Sequence, residues 1–268
     1  LAAREGFVLR LTADHPVRRV VEKTRDRTES EWVKAGELAP GDEILLNDHR
    51  AVAGWSGFGG ESEGYLLGLL VGDGTLNADA AVLSVWSRAL AANDAPGGDG
   101  SASIMAATLE AVRAFPHRAD FAGWTAAAGR GENRLKLAAL RDLAFSLGMT
   151  PGDKKITSAL ERASSDFCRG FLRGLFDTDG SVQGTQAKGV SVRLAQSDLA
   201  RLEATQRMLL RLGIASTLYR ERRAAGVSRL PDGKGGAKDY ATRAQHELVV
   251  SGENVARFAE RIGFADTA

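Results

Sequence analysis

The 268-residue sequence predicts an α+β protein of two similar halves, preceded by a short all-β segment. First, residues 66–74 (LLGLLVGDG) and 172–180 (LRGLFDTDG) are both apolar runs with small residues that end on Asp-Gly. Second, a strand, a turn and an amphipathic helix recur in the same order at residues 134–149 and 247–264. Third, apolar and polar residues alternate in parts of the first fifty residues, which is typical of strands.

The all-β segment comes first. Residues 7–12 alternate before Pro16, and residues 43–46 follow a Pro-Gly-Asp turn, so both are predicted to be strands. The Gly-rich stretch 54–60 is predicted to be a linker. We therefore expect one domain over residues 1–58 and a second over residues 59–268. The second divides into halves of about 59–163 and 164–268, each of the αββαββα type.

Each duplicated segment is predicted to be a helix that ends on an aspartate, Asp73 or Asp179. A carboxylate at a helix C-terminus is electrostatically unfavourable, because the helix dipole is already negative there. Two such residues at matched places suggest that a cation lies between them, and oxygen ligands suit a divalent ion. Two ordinary buried helices with glycine C-caps, Gly74 and Gly180, are the alternative, which leaves the duplicated aspartate unexplained.

Small residues recur every four positions in both segments, which puts them on one helix face. They are Gly64, Gly68 and Gly72 in the first segment and Gly170, Gly174 and Thr178 in the second. A face without side chains lets two helix backbones approach closely. If the two helices pack on each other, Asp73 and Asp179 come side by side, and a bound Mg²⁺ offsets their repulsion.

This pair of segments resembles the LAGLIDADG homing endonucleases of the double-motif, single-chain type. The resemblance implies a pseudo-two-fold monomer that hydrolyses both strands of duplex DNA with Mg²⁺. It assigns the metal positions to Asp73 and Asp179, with Gly72 and Thr178 beside them. The first segment departs from the family at Val71, where an Asp is common, but that position is not a metal ligand in the family.

The same resemblance implies a catalytic lysine near each metal site. Here the match is residues 154–157, Lys-Lys-Ile-Thr, with Thr157 in place of the usual proline. We favour Lys154 over Lys155; two exposed lysines in a turn are the alternative. Aligning the repeats at Gly148 and Gly263 puts the second lysine immediately after Ala268, so we expect it outside this chain.

The net charge of +1 does not indicate nucleic-acid binding, but the distribution of charge does. Residues 181–250 contain twelve Lys or Arg and six Asp or Glu. Strand alternation suggests a set of basic residues that read the DNA groove. They are Arg88, Lys136, Lys188, Arg193, Arg220, Arg222 and Arg223. The alternative is a solvated charged surface. Residues 91–101 and 226–240 are rich in glycine and predicted to be loops, and the second, which is also rich in lysine, could reach the DNA backbone.

The first fifty residues resemble the splicing (Hint) domain of inteins. The residues that carry this resemblance are Thr12, His15 with Pro16 after it, a Trp-Val pair at 32–33 and Gly41-Asp42. It implies that Thr12 and His15 polarise the peptide bond at the upstream splice junction. The alternative is that His15 only shapes the turn before Pro16. The junction nucleophile would lie upstream of Leu1, and no His-Asn pair ends the chain, so self-splicing is not expected from this fragment alone.

The inteins of adenosylcobalamin-dependent ribonucleotide reductases show a similar stretch between Lys23 and Trp32, which suggests such a host. The expected partners are the intein-free host gene, as duplex DNA, and the flanking host protein segments. No apolar run is long enough to span a bilayer and no signal peptide opens the chain. The single cysteine, Cys168, excludes an internal disulfide, so a cytoplasmic, reducing location is expected. Two competing functions stay open: DNA binding without cleavage, as in maturases, and self-processing with a passive insertion.

Overall fold

The computed structural model describes residues 1–87, 100–128, 131–185, 189–231 and 236–266. The N-terminal segment contains one antiparallel hairpin, made of β1 (Pro16–Lys23) and β2 (Thr28–Lys34). The strands predicted at residues 7–12 and 43–46 are wrong: these stretches contribute only the isolated bridges Ala2↔Val8 and Arg19↔Ile44. A strand needs a continuous hydrogen-bonded partner, and β1 and β2 provide one to each other.

The first half contains three helices and four strands. The helices are α1 (Glu61–Asp73), α2 (Ser101–Val112) and α3 (Ala138–Ser146). The strands are β3 (Thr75–Leu76), β4 (Ala81–Trp86), β5 (Thr125–Ala127) and β6 (Glu132–Leu137). They form one antiparallel sheet in the order β3-β4-β6-β5. A short helix, α4 (Ser158–Glu161), connects to the second half.

The second half follows the same plan. Its helices are α5 (Ser165–Asp179), α6 (Leu199–Arg211) and α7 (Glu253–Arg261). Its main sheet has the order β7-β8-β12-β9, from β7 (Gly180–Thr185), β8 (Gly189–Gln196), β9 (Thr217–Arg223) and β12 (Gln245–Ser251). A separate two-stranded hairpin, β10 (Gly226–Pro231) with β11 (Ala237–Thr242), is inserted between β9 and β12.

The strand registers of the two sheets match. In the first sheet Thr75 pairs with Val82, which pairs with Lys136. In the second, Ser181 pairs with Arg193, and Arg193 with Val249. Thr75 and Ser181 each lie two residues after the aspartate that ends the preceding helix. The mixed α and β class is confirmed. The first half shows the order α-β-β-α-β-β-α among the described elements, and the second half shows the same order with β10 and β11 inserted before its last strand.

The close helix pair is confirmed. A Cβ added to Gly64 or Gly68 on α1 would lie 2.0 or 2.2 Å from a backbone carbonyl oxygen of α5. A Cβ on Gly170 or Gly174 of α5 would lie 2.0 or 2.3 Å from a carbonyl oxygen of α1. Real Cβ atoms do not approach oxygen so closely, so the backbones touch along this face. The buried apolar side chains of both halves form one core around the pair.

The predicted linker is packed against the start of α5. The indole Nε1 of Trp55 donates a 2.8 Å hydrogen bond to the carbonyl of Ala163, and its backbone amide donates to Ser165 Oγ. The guanidinium of Arg211 lies over the Trp55 ring, 4.1 Å from its centroid. Ser164 N-caps α5 by accepting from the amide of Phe167. The linker therefore holds the N-terminal segment onto the second half.

The N-terminal residues also cover the edge strand β9. The backbone amide of Leu218 donates a 2.8 Å hydrogen bond to the carbonyl of Glu5. The buried amide of Gln206 donates to the carbonyls of Glu5 and Ser216, at 2.8 and 3.0 Å. No helix in the described ranges combines the length and the apolar character needed to cross a membrane.

Candidate active site at the paired helix ends

Asp73 and Asp179 end the two packed helices. Immediately before them Gly72 lies against Thr178: a Cβ on Gly72 would be 1.9 Å from Thr178 Oγ1. Displacement of water by the surrounding protein raises the pKa of both carboxyls, and the charge of Asp73 raises the pKa of Asp179 further. The two acids therefore share one electrostatic environment, at a place where both helix dipoles are negative.

Lys154 reaches this site from the loop before α4. Its ammonium donates to the carbonyls of Leu70 (2.9 Å), Gly72 (3.4 Å) and Gly74, all at the end of α1. Burial, together with the charge of Arg201, lowers the pKa of Lys154 to about 8. Lys155 instead points to solvent and pairs with Asp153 at 2.7 Å. The two neighbouring lysines thus have different environments, and only Lys154 faces the aspartates.

Thr157, at the position where the resemblance leads us to expect proline, has a structural role. Its hydroxyl donates a 2.6 Å hydrogen bond to the carbonyl of Leu147 and accepts one from the amide of Leu160. The residue is therefore the N-cap of α4. This cap fixes the loop that carries Lys154, so the departure from the family pattern is compatible with an ordered lysine.

Sequence reasoning missed two residues of this site. Gln196, at the end of β8, donates a 2.6 Å hydrogen bond from Nε2 to Oδ2 of Asp179. Arg201, in the first turn of α6, donates to the carbonyl of Val71 at 3.4 Å and acts electrostatically on Asp179. A cation in the first turn of a helix opposes the dipole, and that position was the available signal. Gln196 carried no comparable signal.

The donor set of this site fits a hard divalent cation in part. The chain supplies two carboxylates, which are ligands that Mg²⁺ accepts. The carbonyl oxygen of Gly72 already accepts a hydrogen bond from Lys154. Among the described residues no group of three or more His, Cys, Asp or Glu side chains is present. Mg²⁺ usually keeps water and takes substrate phosphates as further ligands, so two carboxylates are compatible with it.

The proposed DNA contacts fall on different surfaces. Lys136 and Arg193 lie on the face of each sheet that points away from the helices, which we call the outer face. Lys136 pairs with Asp79, and Arg193 and Arg222 both pair with Glu247. Arg220 turns to the helix side, where it pairs with Glu203 of α6 at 2.8 Å. Arg223 ends β9, and Arg88 and Lys188 lie outside the described residues.

A further basic residue, Arg134, was missed on the outer face of the first sheet. It lies two residues before Lys136 on β6, and it pairs with Glu132 through two bonds of 2.7 and 2.8 Å. Ser84 on the adjacent strand donates to the same carboxylate at 3.0 Å. Both sheets therefore present arginine and carboxylate groups on this face. The alternation Arg134-x-Lys136 was the sequence signal that could have placed Arg134 on the same face as Lys136.

Thr12 and His15 share one exposed turn before β1. The amide of His15 donates a 3.2 Å hydrogen bond to the carbonyl of Thr12. The Thr12 side chain hydrogen-bonds Asp14 and lowers the pKa of that carboxyl. A cavity of about 500 Å³ lies between residues 1–7 and 38–46, and neither Thr12 nor His15 lines it. The two residues are thus adjacent, without a surrounding pocket in the described part of the chain.

Comparison with known proteins identifies relatives. A model of the family described as LAGLIDADG-like domain matches residues 166–263. The chain is 23% identical to the ribonucleoside-diphosphate reductase NrdEB subunit alpha of Bacillus subtilis, over 94% of this chain and 23% of the relative. It is 28% identical to the replicative DNA helicase DnaB of Rhodothermus marinus, over 98% of this chain and 26% of the relative.

The chain thus spans about a quarter of the length of these curated relatives. A crystal structure of I-DmoI in complex with DNA and Mn is also similar. It has a TM-score of 0.42 and 15% identity, and the match covers 76% of this chain and 96% of that one. The match to the family model therefore makes the stretch from Asp166 to Gly263, which contains α5, its terminal aspartate and the second sheet, similar to a LAGLIDADG-like domain.

Proposed function

We propose that this chain is a site-specific homing endonuclease that hydrolyses both strands of duplex DNA with the help of Mg²⁺. The observation that carries the proposal is the pair of aspartates, Asp73 and Asp179, at the ends of two helices in backbone contact. Such an arrangement is costly, because two carboxylates and two negative dipole ends meet. Metal-dependent phosphodiester cleavage gives a reason for it.

The chain's own residues have separable tasks in this proposal. Asp73 and Asp179 would hold the metal, with the carbonyls of Gly72 and Thr178 as further oxygen ligands. When bound, Mg²⁺ supplies charge that activates a water molecule and stabilises the leaving oxygen. Gln196 orients the carboxylate of Asp179, and Lys154 and Arg201 place positive charge beside the acids. That charge would also stabilise a phosphate drawn into the site.

The outer faces of the two sheets are the proposed DNA surface. Lys136 and Arg134 belong to the first sheet, and Arg193 and Arg222 to the second. Their carboxylate partners hold these basic side chains in place in the free protein. Arginine that is already oriented can contact bases or phosphates at a lower entropic cost. We keep Arg223, Arg88 and Lys188 as candidate contacts and assign Arg220 to the support of α6.

The relatives support an intein as the setting. The same chain resembles parts of two enzymes with different names, a reductase subunit and a replicative helicase, and spans only about a quarter of each. A segment shared by otherwise unrelated enzymes is expected of an insertion that moves between hosts. We therefore propose that residues 1–58 are part of a splicing domain and that the partner DNA is the intein-free host gene.

Cleavage is tested with the purified chain and a duplex that spans the intein-free insertion site of the host gene. The expected result is a double-strand break with Mg²⁺ and none with EDTA, and a scrambled duplex of the same length should stay intact. Binding without a break in either condition would favour the non-cleaving, maturase-like function. The absence of specific binding would overturn the proposal.

The splicing role is tested separately, in a precursor with the host segments on both sides. His15→Ala and Thr12→Val should slow cleavage at the upstream junction, while His49→Ala should not. His49 is a suitable control because it lies in the same segment, with its ring near Asn47. Equal rates in all variants would contradict the assignment of Thr12 and His15.

A further inference from the structure

The hairpin β10–β11 belongs to the second half alone. In the first half β5 ends at Ala127 and β6 begins at Glu132, so four residues make the connection. In the second half β9 ends at Arg223 and β12 begins at Gln245, and the hairpin fills the gap. It forms its own two-stranded sheet. The sequence prediction of a loop over residues 226–240 is therefore wrong for 226–231 and 237–240, which are strands, and residues 232–235 lie outside the described residues.

The hairpin starts at the active-site end of the second sheet. Gln196, which contacts Asp179, pairs with His246 at the start of β12. Gln245, the preceding residue, pairs with Arg223 at the end of β9. Neighbouring strands are about 4.8 Å apart, so the base of the hairpin lies two strands, or roughly 10 Å, from Gln196. Six residues per strand give the hairpin a reach of about 20 Å.

The hairpin and its base carry an excess of positive charge. Residues 223–243 contain five Lys or Arg and two Asp or Glu, a net charge of +3, although the whole chain carries +1. Four cations of the hairpin and its base have no ion pair with any described residue: Arg223, Arg229, Lys238 and Arg243. All four are exposed. These unpaired cations differ from the arginines of the outer faces, which are paired with carboxylates.

The hairpin also has no buried side chain among its described residues. Every residue of β10 and β11 whose burial is described is exposed or half-buried, and Val227 has 70% of its surface exposed. One face carries Ser228, Tyr240 and Lys238, with the Lys238 ammonium 4.8 Å from the centre of the Tyr240 ring. An isolated two-stranded hairpin is marginally stable in water. A bound partner would therefore add to its stability. The net positive charge of the hairpin and its base favours a polyanion as that partner.

We propose that β10–β11 is a cationic arm that binds the DNA backbone beside the second half's cleavage position. The two sides of the target are then contacted unequally. This inference rests on the proposed function, because duplex DNA is the polyanion that the proposed function gives the chain as its substrate. A span of about 20 Å corresponds to roughly six base pairs of backbone. The contacts are phosphate contacts, which add affinity and salt dependence without reading bases.

The test is hydroxyl-radical footprinting on the duplex spanning the insertion site, in EDTA so that it stays uncut. The wild-type chain should protect a patch of about six base pairs on one side of the cleavage position, with no counterpart on the other. The variant Arg223→Gln/Arg229→Gln/Lys238→Gln/Arg243→Gln should lose that patch alone. Its binding should depend less on salt, by about 0.9 in the log–log slope for each contact removed.

The matched control removes the same charge elsewhere. Arg10, Arg25, Lys34 and Arg162 are exposed and likewise without an acidic partner among the described residues, and their change to Gln should leave the patch in place. A symmetric wild-type footprint, or a patch that survives the hairpin variant, would overturn the arm while leaving the endonuclease proposal intact. The absence of any specific footprint would instead overturn the endonuclease proposal, and the arm with it.

Discussion

The side-chain amide of Gln196 donates a 2.6 Å hydrogen bond to the carboxylate of Asp179. Among the described residues no side chain makes an equivalent hydrogen bond to Asp73. By strand register, the first-half counterpart of Gln196 is Val85, which is buried in the core. The two aspartates therefore match in sequence and differ in environment. One half of the candidate active site has an orienting partner that the other half lacks.

Gln196→Leu should consequently affect one DNA strand more than the other. The variant removes the hydrogen bond to Asp179 without adding charge, and loss of such an orienting partner costs about 10–100-fold in metal affinity or activity. We expect nicked plasmid to accumulate before linear product. The measurement is the ratio of nicked to linear DNA over time, and equal slowing of both strands would contradict the asymmetry.

Asp73→Asn and Asp179→Asn should each abolish double-strand cleavage and leave duplex binding largely intact. Asparagine keeps the shape but not the charge, and removal of a direct ligand should cost more than the roughly 100-fold upper range for an orienting partner. Cleavage and gel-shift assays on the same samples separate the two effects. Wild-type cleavage rates in either variant would contradict the metal assignment.

Lys154→Met and Lys155→Met form a matched pair. Lys154 donates to three carbonyls at the end of α1 and lies beside both aspartates, whereas Lys155 is exposed. Removing the first ammonium should reduce cleavage and lower the free energy of unfolding by about 1.5–3 kcal/mol, the range for hydrogen bonds to charged groups. The second variant should behave as the wild type in cleavage and in urea unfolding.

The two readouts for Lys154 also separate its roles. If Lys154→Met loses stability but cleaves at the wild-type rate when folded, the residue only caps α1. If cleavage falls under conditions where the variant is fully folded, its charge acts on the DNA. The second result is the expected one, because the lysine lies close enough to both aspartates to affect their electrostatics.

Gly68→Ala should destabilise the protein strongly. The new Cβ would be 2.2 Å from the carbonyl oxygen of Phe171, and backbone cannot move aside as a flexible side chain does. Overpacking typically costs about 1–3 kcal/mol, and we expect the upper end here. Gly226→Ala is the control, since a Cβ there meets nothing within 4 Å. Urea unfolding of both variants checks the difference.

The features that the sequence predicted well are those that depend on the spacing of residues along one helix. Glycines four apart define one helix face, so the contact between α1 and α5 followed from Gly64, Gly68, Gly170 and Gly174 without any tertiary information. The choice of Lys154 over Lys155 rested on the family pattern. The structure places these two lysines in different environments, and their catalytic roles stay predictions.

The features that were missed depend on strand register or on solvent exposure. Gln196 reaches Asp179 only because β7 folds back on β8, a pairing that one polar residue at a strand end does not reveal. The hairpins β1–β2 and β10–β11 carry polar residues on both faces, so they lack the alternation that marks a half-buried strand. Glycine and lysine between residues 226 and 240 then suggested a loop.

The contact between Glu5 and Leu218 bears on how the protein avoids aggregation through strand pairing between molecules. Strand β9 is an edge of the second sheet. An uncovered edge has unpaired amide and carbonyl groups with which a strand of another molecule can pair. In the first sheet the corresponding edge, β5, is only three residues long and offers little. The seven-residue β9 is instead shielded at Leu218 by the backbone of the N-terminal segment. Trimming that segment would therefore uncover a site for strand exchange between molecules, and shortened versions of this protein would be lost to aggregation before their chemistry could be judged.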